Sequence, residues 1–328
     1  MGFLDNLLNA FLKATDPRPR YTEARCLLYK NSVGGCDRCY QVCPKGAVRL
    51  ESFRVELDEV LCTGCGLCTG VCPGVALEYP LGGIQEALIR GKGQIRCSKA
   101  EGKGEEVLCL GRLTPGLLAE AGSRFGKVVL ARGDCASCRI GGPAVPEHLE
   151  RMVEEAQRYH PVEVEVLQGE LPGEKVGRRE LFQALMGSAK RTAADLVPEL
   201  PLPAPEEEKG MPAELRLRLL AARRASEVRW PRIQVEEGCT LCPVCTNVCP
   251  TEAVYRVREG EEYVLRLKVE ACTGCGACVE SCPPQVIRLE EAGKEELFQE
   301  LELYRGRPPW YDLCALGGIR LTRGFCPG

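Results

Sequence analysis

Three stretches of this chain repeat one arrangement of thiols. Cys62, Cys65, Cys68 and Cys72 run into Pro73, Cys239, Cys242, Cys245 and Cys249 into Pro250, and Cys272, Cys275, Cys278 and Cys282 into Pro283. Each reads C-x2-C-x2-C-x3-C-P. A fourth stretch, NSVGGCDRCYQVCP at 31 to 44, keeps the ending in Cys36, Cys39 and Cys43 but has Val33 where another thiol would stand. The chain holds 22 cysteines in 328 residues. Disulfide scaffolds are usually short secreted chains, and no secretory or twin-arginine leader is visible here, so the thiols are expected to stay reduced in the cytoplasm. Clustered reduced thiols read as metal ligands. Zinc ribbons use isolated C-x2-C pairs. A longer run of thiolates instead wraps a loop round three corners of a [4Fe–4S] cube.

The residues between the thiols suit that task. Gly64, Gly66, Gly274 and Gly276 let the backbone curl so that N–H groups can point at sulfur. The Pro after each last Cys fixes the chain direction and removes a donor. On these motifs both halves resemble two-cluster bacterial ferredoxins, in which the fourth Cys of each motif binds the other cluster. The resemblance covers less than half of the chain. It implies one cluster on Cys62, Cys65, Cys68 and Cys43, another on Cys239, Cys242, Cys245 and Cys282, and a third on Cys272, Cys275, Cys278 and Cys249.

The stretch with Val33 leaves two alternatives. A cube held by three thiols would have a labile or substrate-binding corner. Otherwise a fourth thiol arrives from elsewhere, and Cys26 offers one, in the spacing C-x9-C-x2-C-x3-C-P. The span KNSVGG has the turn chemistry to close the extra loop, and lengthening a loop costs only about 0.6 kcal/mol per doubling. Cys26 also reads as a buried apolar thiol beside Leu27 and Leu28. The expected set is Cys26, Cys36, Cys39 and Cys72, which makes four [4Fe–4S] clusters in all.

Four further thiols, Cys97, Cys109, Cys135 and Cys138, lie between the halves, three of the positions following expected strands. The carboxyl ends of parallel strands face one crevice, where four thiols suffice for a fifth iron–sulfur cluster ([2Fe–2S] or [4Fe–4S]) or for zinc. CLGRLTP and GDCASC resemble the small iron–sulfur subunit of hydrogenases that feed heterodisulfide reductase. The C-x11-C gap and the later close pair are also similar to thioredoxin-like [2Fe–2S] ferredoxins. Cys314 and Cys326 have no close neighbour and read as free or buried thiols.

The elements that position these thiols follow from periodicity. Residues 2 to 14 carry apolar residues at helical spacing, an amphipathic helix within segment 1–20. AVRLESFRVELDEV and AVYRVREGEEYVLRLKVEA read as hairpins, one between the two cysteine motifs of each half. The halves are therefore repeats of one unit, at 21–87 and 233–296. In the middle domain, 88–190, QIRC, EVLCLG, KVVLARG and VEVEVLQG read as strands, alternating with helices PGLLAEAGSRF and VPEHLERMVEEAQRY, which argues for a parallel sheet. Segment 191–232 reads as a Pro- and Glu-rich linker followed by a charged helix, AELRLRLLAARRA, and 297–328 as a tail. The expected fold class is α+β, with two ferredoxin-like dicluster domains flanking a small α/β parallel-sheet domain. GSRFGK is one residue short of a P-loop and reads as a helix end. His148 and His160 read as surface residues.

Composition narrows the function. A formal net charge of −3 and 5% aromatics give neither a basic nor a stacking footprint for nucleic acid. No run approaches the roughly 18 apolar residues of a membrane span. No G-x-G-x-x-G turn that would bind a flavin or nicotinamide is present, nor the C-x3-C-x2-C of radical enzymes. The expectation is an electron-transfer protein without catalytic residues of its own. Its expected partners are redox proteins: a flavin, molybdenum or hydrogenase catalytic subunit. The rival is an oxidoreductase subunit whose middle domain reduces a disulfide; a zinc-bearing scaffold is a third class.

Overall fold

A computed structural model describes residues 18–30, 35–172 and 210–308. The segment at 2 to 14, Val33, most of the linker, Cys314 and Cys326 lie outside them.

The first repeat opens with β1 (Arg20–Tyr21) and closes with β4 (Leu77–Glu78), paired antiparallel with Arg20 opposite Glu78. Between them lie α1 (Leu27–Lys30), α2 (Arg38–Gln41), the hairpin β2 (Val48–Glu51) and β3 (Arg54–Leu57), and α3 (Leu67–Gly70). Alternation along the hairpin turns Val48 and Val55 inward, where they meet Cys26, Cys39, Cys68, Ala76 and Leu77 in a small core. The helices are single turns, too short to hold themselves together. What fixes them is this core and the thiols at their ends.

The middle domain begins with α4 (Gly82–Arg90), β5 (Gln94–Cys97), β6 (Glu101–Gly102) and β7 (Glu105–Val107). It continues through α5 (Pro115–Phe125), β8 (Lys127–Arg132), α6 (Val145–Ala156), β9 (Glu163–Gln168) and β10 (Glu170–Leu171). Four strands form one sheet in the order β7-β5-β8-β9, every neighbour parallel. Helix α5 starts where Thr114 accepts from the Leu117 N–H and Pro115 takes the first turn, where a missing N–H costs nothing. It stops at Gly126, so GSRFGK is a helix end. In α6, Val145, His148, Leu149, Met152 and Ala156 are buried, the one-sided spacing of an amphipathic helix.

Helix α7 (Ala213–Arg224) stands where a charged helix was expected, and it is buried: Leu215, Leu217, Leu219, Ala221 and Ala222 are enclosed, as are Glu214 and Arg218. It packs on α5, and its two buried charges are paired. Arg218 Nε donates to Glu214 Oε1 at 2.8 Å, and the Gly116 N–H donates to the same oxygen at 2.8 Å. Arg218 Nη1 then reaches the Tyr159 hydroxyl at 2.9 Å, which donates to Glu155 at 2.6 Å. The first turn of α7 is also tied to the first repeat, since the Ala213 N–H donates to Glu78, a favourable site for an anion.

The second repeat follows the plan of the first. β11 (Trp230–Val235) pairs antiparallel with β14 (Ile287–Ala292), and between them stand α8 (Val244–Val248), the hairpin β12 (Val254–Glu259) and β13 (Glu262–Lys268), and α9 (Ala277–Glu280). A further strand, β15 (Glu300–Gly306), pairs with β13, so residues from the expected tail complete a three-stranded sheet. The second repeat shares one apolar core with the middle domain, where Trp230 meets Tyr159 edge-on at 5.2 Å.

Candidate metal centres

In the first repeat the thiols gather into two sets. Cys26 follows a short 3-10 turn at Glu23–Arg25, Cys39 lies in α2, and Cys72 follows α3. Burial pushes the Cys39 thiol up to about 12, with the charges of Cys72, Cys36 and Cys26 adding to it. Cys36 and Cys72 are raised first by burial, and each also feels Cys26. The first set is thus Cys26, Cys36, Cys39 and Cys72. The second comprises Cys43, Cys62, Cys65 and Cys68. Cys68 is raised well above an ordinary thiol by burial, then by Cys65, Cys39, Cys43 and Cys62. These four line one cavity with Leu67 and Tyr79. Cys39 belongs to the first set, so the two sets adjoin.

The second repeat does the same. Burial takes Cys245 to about 12, aided by Cys242, Cys239 and Cys282, which form the third set. Cys272 is pushed to about 12 by burial, with Cys275 and Cys249 beside it. Cys278 is raised by burial, by Cys275, Cys272 and Cys249 of this fourth set, and by Cys245 of the third.

All four loops share one backbone device. Three residues beyond the last thiol of each motif stands a left-handed residue: Gly46, Val75, Glu252 and Gln285, with φ of 61°, 51°, 55° and 56°. The turn brings the next N–H back to sulfur in the first repeat, from Ala47 to Cys43 at 3.3 Å and from Ala76 to Cys72 at 3.2 Å. Between the first two thiols of a motif, Gly64 and Gly274 are left-handed as expected. Leu241 holds the same position at φ 53° and donates its N–H to Cys239. A non-glycine held there is strained, and its surroundings must hold it in place.

The middle thiols also converge. Cys97 ends β5, Cys109 follows β7, Cys135 and Cys138 follow β8, and all four line one cavity. Cys109 is pushed to about 12 by burial, with Cys65, Cys97 and Cys138 nearby. Backbone N–H groups of Gly133, Gly111 and Ile140 donate to Cys97, Cys109 and Cys138 at 3.3, 3.4 and 3.4 Å. Cys138 differs in sign. Burial opposes its ionisation, but the N–H groups of Ile140, Gly141 and Gly142 and the Lys99 charge outweigh it and lower the pKa.

This site is docked on the second set. Arg112 Nε donates to the Gly64 carbonyl at 2.7 Å and Thr63 Oγ1 to the Ile140 carbonyl at 2.8 Å. A Cβ on Gly141 would lie 2.9 Å from Cys109 Sγ and 3.6 Å from Cys65 Cβ, so only glycine fits between the two sites. His148 corrects the surface expectation. It is fully buried, a Cβ on Gly70 would meet its ring at 2.6 Å, and burial depresses its pKa to about 4. His160 is partly buried, its Nδ1 against the Pro161 carbonyl. Arg112, Lys30 and the N–H donors carried no motif that would have marked them.

The donor chemistry fits iron–sulfur clusters. In each set, neighbouring thiolates oppose one another's ionisation, a cost that a bound polyvalent centre removes by deprotonating its thiols outright. Among the described residues, no group of three or more His, Cys, Asp or Glu closes to the spacing a single metal ion needs. The first and fourth sets draw on both motifs of their repeat, as do the second and third.

Comparison with known proteins bears on the same segments. A 4Fe-4S dicluster domain family matches residues 232–283, and a second family of that description matches 34–76 and 271–309. Cys26 lies outside these matches. Over 44 residues the chain is 46% identical to a subunit of the ion-translocating oxidoreductase complex of Methanosarcina acetivorans, 13% of this chain and 17% of that protein. It is 45% identical over 40 residues to hydrogenase-4 component A of Escherichia coli, 12% of this chain and 20% of that protein. To pyruvate synthase subunit PorD of Methanothermobacter marburgensis it is 37% identical over 51 residues, 16% of this chain and 59% of that protein. The chain spans less than two thirds of each of these relatives.

Proposed function

Since the chain carries two 4Fe-4S dicluster domains, we propose that it is a polyferredoxin. It relays single electrons through four [4Fe–4S] clusters and a fifth centre in the middle domain, as a subunit of a larger redox complex. Cys26, Cys36, Cys39 and Cys72 hold one cluster, Cys43, Cys62, Cys65 and Cys68 the next. The third is held by Cys239, Cys242, Cys245 and Cys282, the fourth by Cys249, Cys272, Cys275 and Cys278. When bound, the clusters supply one-electron redox chemistry; the chain holds them, shields them and tunes them with N–H donors. The observation that carries this function is adjacency. Cys39 and Cys68 share one buried core, α8 with Cys245 packs against α9 with Cys278, and Gly141 fits between Cys109 and Cys65, so each site has a neighbour in another.

Cys97, Cys109, Cys135 and Cys138 line one cavity, which supports a metal centre there, an iron–sulfur cluster in this proposal. The relatives are subunits or components of an ion-translocating oxidoreductase, a hydrogenase and a pyruvate synthase, which supports a redox-protein partner. Among the described residues no helix is long and apolar enough to cross a membrane. The test is metal analysis. Anaerobically purified full-length protein is expected to hold about sixteen iron atoms in cubanes, besides the middle centre. Eight or fewer after full reconstitution, or mainly zinc, overturns the proposal.

A second function is favoured by Cys138, whose raised acidity suits a thiol that attacks a disulfide. The middle domain then reduces a substrate disulfide with electrons from the flanking sites. Reduced protein incubated alone with a small disulfide separates the two: a relay leaves the disulfide intact.

A further inference from the structure

The two dicluster domains are distant in sequence, and the middle domain stands between them along the chain. In space they meet directly. Helix α1 of the first domain packs against α8 of the second. At that seam Lys30 Nζ donates to the Cys249 carbonyl at 2.8 Å and lies 3.4 Å from that of Asn247. The backbone N–H of Lys30 donates to the Cys26 carbonyl at 3.0 Å. Two hydrogen bonds and one side chain therefore connect a thiol-bearing residue of the first set to one of the fourth. Alongside, Gly74, two residues beyond Cys72, is pressed between the Arg25 carbonyl and Pro250; a Cβ there would stand 3.3 Å from Pro250 Cβ. Two grooves are lined by residues of both domains. Arg25 and Glu78 face Pro250 and Ala271 in one, and Cys72 and Pro73 share the other with Thr273 and Gly274.

We infer that this seam is the crossing point of the relay, and that Lys30 is the positioning residue that holds it. The inference rests on the iron–sulfur relay proposed above. The sites then form one unbranched row: the middle thiols, the Cys43 set, the Cys26 set, the Cys249 set and the Cys239 set. The middle site is an end of the row rather than a bridge. It is docked on the first repeat beside Cys65, through Gly141 and the Arg112 and Thr63 hydrogen bonds, while the middle domain meets the second repeat through an apolar core and the Tyr159–Trp230 contact. Crossing the seam moves one electron from one site to the next, with no bond made or broken and no proton transferred. The electron comes from a low-potential one-electron donor protein at one end of the row and leaves to an acceptor at the other.

The ammonium of Lys30 has a second effect. A positive charge held between two sites favours the reduced, more negative state of both. Lys30→Met keeps the carbon stem and removes charge and donor together. In full-length protein reduced stepwise with dithionite and followed by electron paramagnetic resonance, two sites are expected to respond, one in each domain. At fixed potential their reduced-to-oxidised ratio falls about tenfold, which is 59 mV for a one-electron couple. Cys26→Ser and Cys272→Ser, each perturbing one set, assign the two signals, and Lys30→Arg restores both to within about twofold of the parent. A shift confined to one domain, an equal shift at all sites, or no shift overturns the inference. Iron content is read separately. A parent with its sixteen cubane irons and an unresponsive Lys30→Met refutes the crossing point alone, whereas a parent with eight or fewer irons refutes the relay itself.

Discussion

At the scale of single residues, Cys26 decides whether the first site is complete. Its charge acts on Cys36, Cys39 and Cys72 alike, and it is buried in one core with Cys39, against which Cys72 packs. A merely apolar thiol in that place would be replaceable by alanine at the cost of a small cavity. As the fourth ligand it is not. Cys26→Ala is expected to remove about four irons, or about one if the site converts to a three-iron form, and to change the spectrum of the reduced protein. Iron and sulfide analysis checks this, with Cys314→Ala and Cys326→Ala as controls that keep full content. An unchanged spectrum and iron content in Cys26→Ala would falsify the assignment. The motif residues were legible because ligand spacing is local and short. Cys26, ten positions from Cys36, is proposed on the same ground. The burial of His148 was not legible: its ring packs against Gly70, far away in sequence, and nothing near it announces that.

Among the elements, α7 shows how far local pattern misleads. Glu214 and Arg218 look like a solvated i,i+4 pair, but their outer partners, Gly116 and Tyr159, lie 98 and 59 residues away. Both charges are buried, Glu214 at 4% and Arg218 at 9% exposure. Removing one member of a buried pair leaves the other uncompensated, which costs about 3–5 kcal/mol, while an exposed pair contributes about 1 kcal/mol or less. Arg218→Met is therefore expected to destabilise the protein on the larger scale, and the double change with Glu214→Gln to recover part of the loss. Urea titration followed by tryptophan fluorescence measures both. A loss near the exposed-pair value would show that water reaches the network. The sheet was easier to foresee, because the short strand segments of β5, β8 and β9 alternate with helices, and such connections force parallel pairing. β15 was missed since its register depends on β13, an element its own sequence cannot reveal.

At the scale of the whole molecule, the order of sites makes distant and near neighbours distinguishable. The middle thiols stand at one end, with Gly141 and Arg112 pressing their loops onto the Cys43 set. The Cys239 set stands at the other, beyond the Lys30 seam and the Cys249 set. Such an order is invisible in sequence, where the middle domain falls between the repeats and would pass for a bridge. Interactions between charged centres fall off with distance and with intervening screened solvent, so removal of one end site must be felt unequally. Cys135→Ser combined with Cys138→Ser is expected to empty the middle site while the four cubanes stay loaded. The double variant should then alter the reduction midpoint of the Cys43 set and leave that of the Cys239 set where it was. Redox titration of the full-length protein with iron analysis reads both quantities. If the Cys239 set shifts as much as the Cys43 set, the middle site bridges the two domains and the row is wrong. Loss of iron from all four cubanes would instead make the middle thiols a folding determinant of the whole chain.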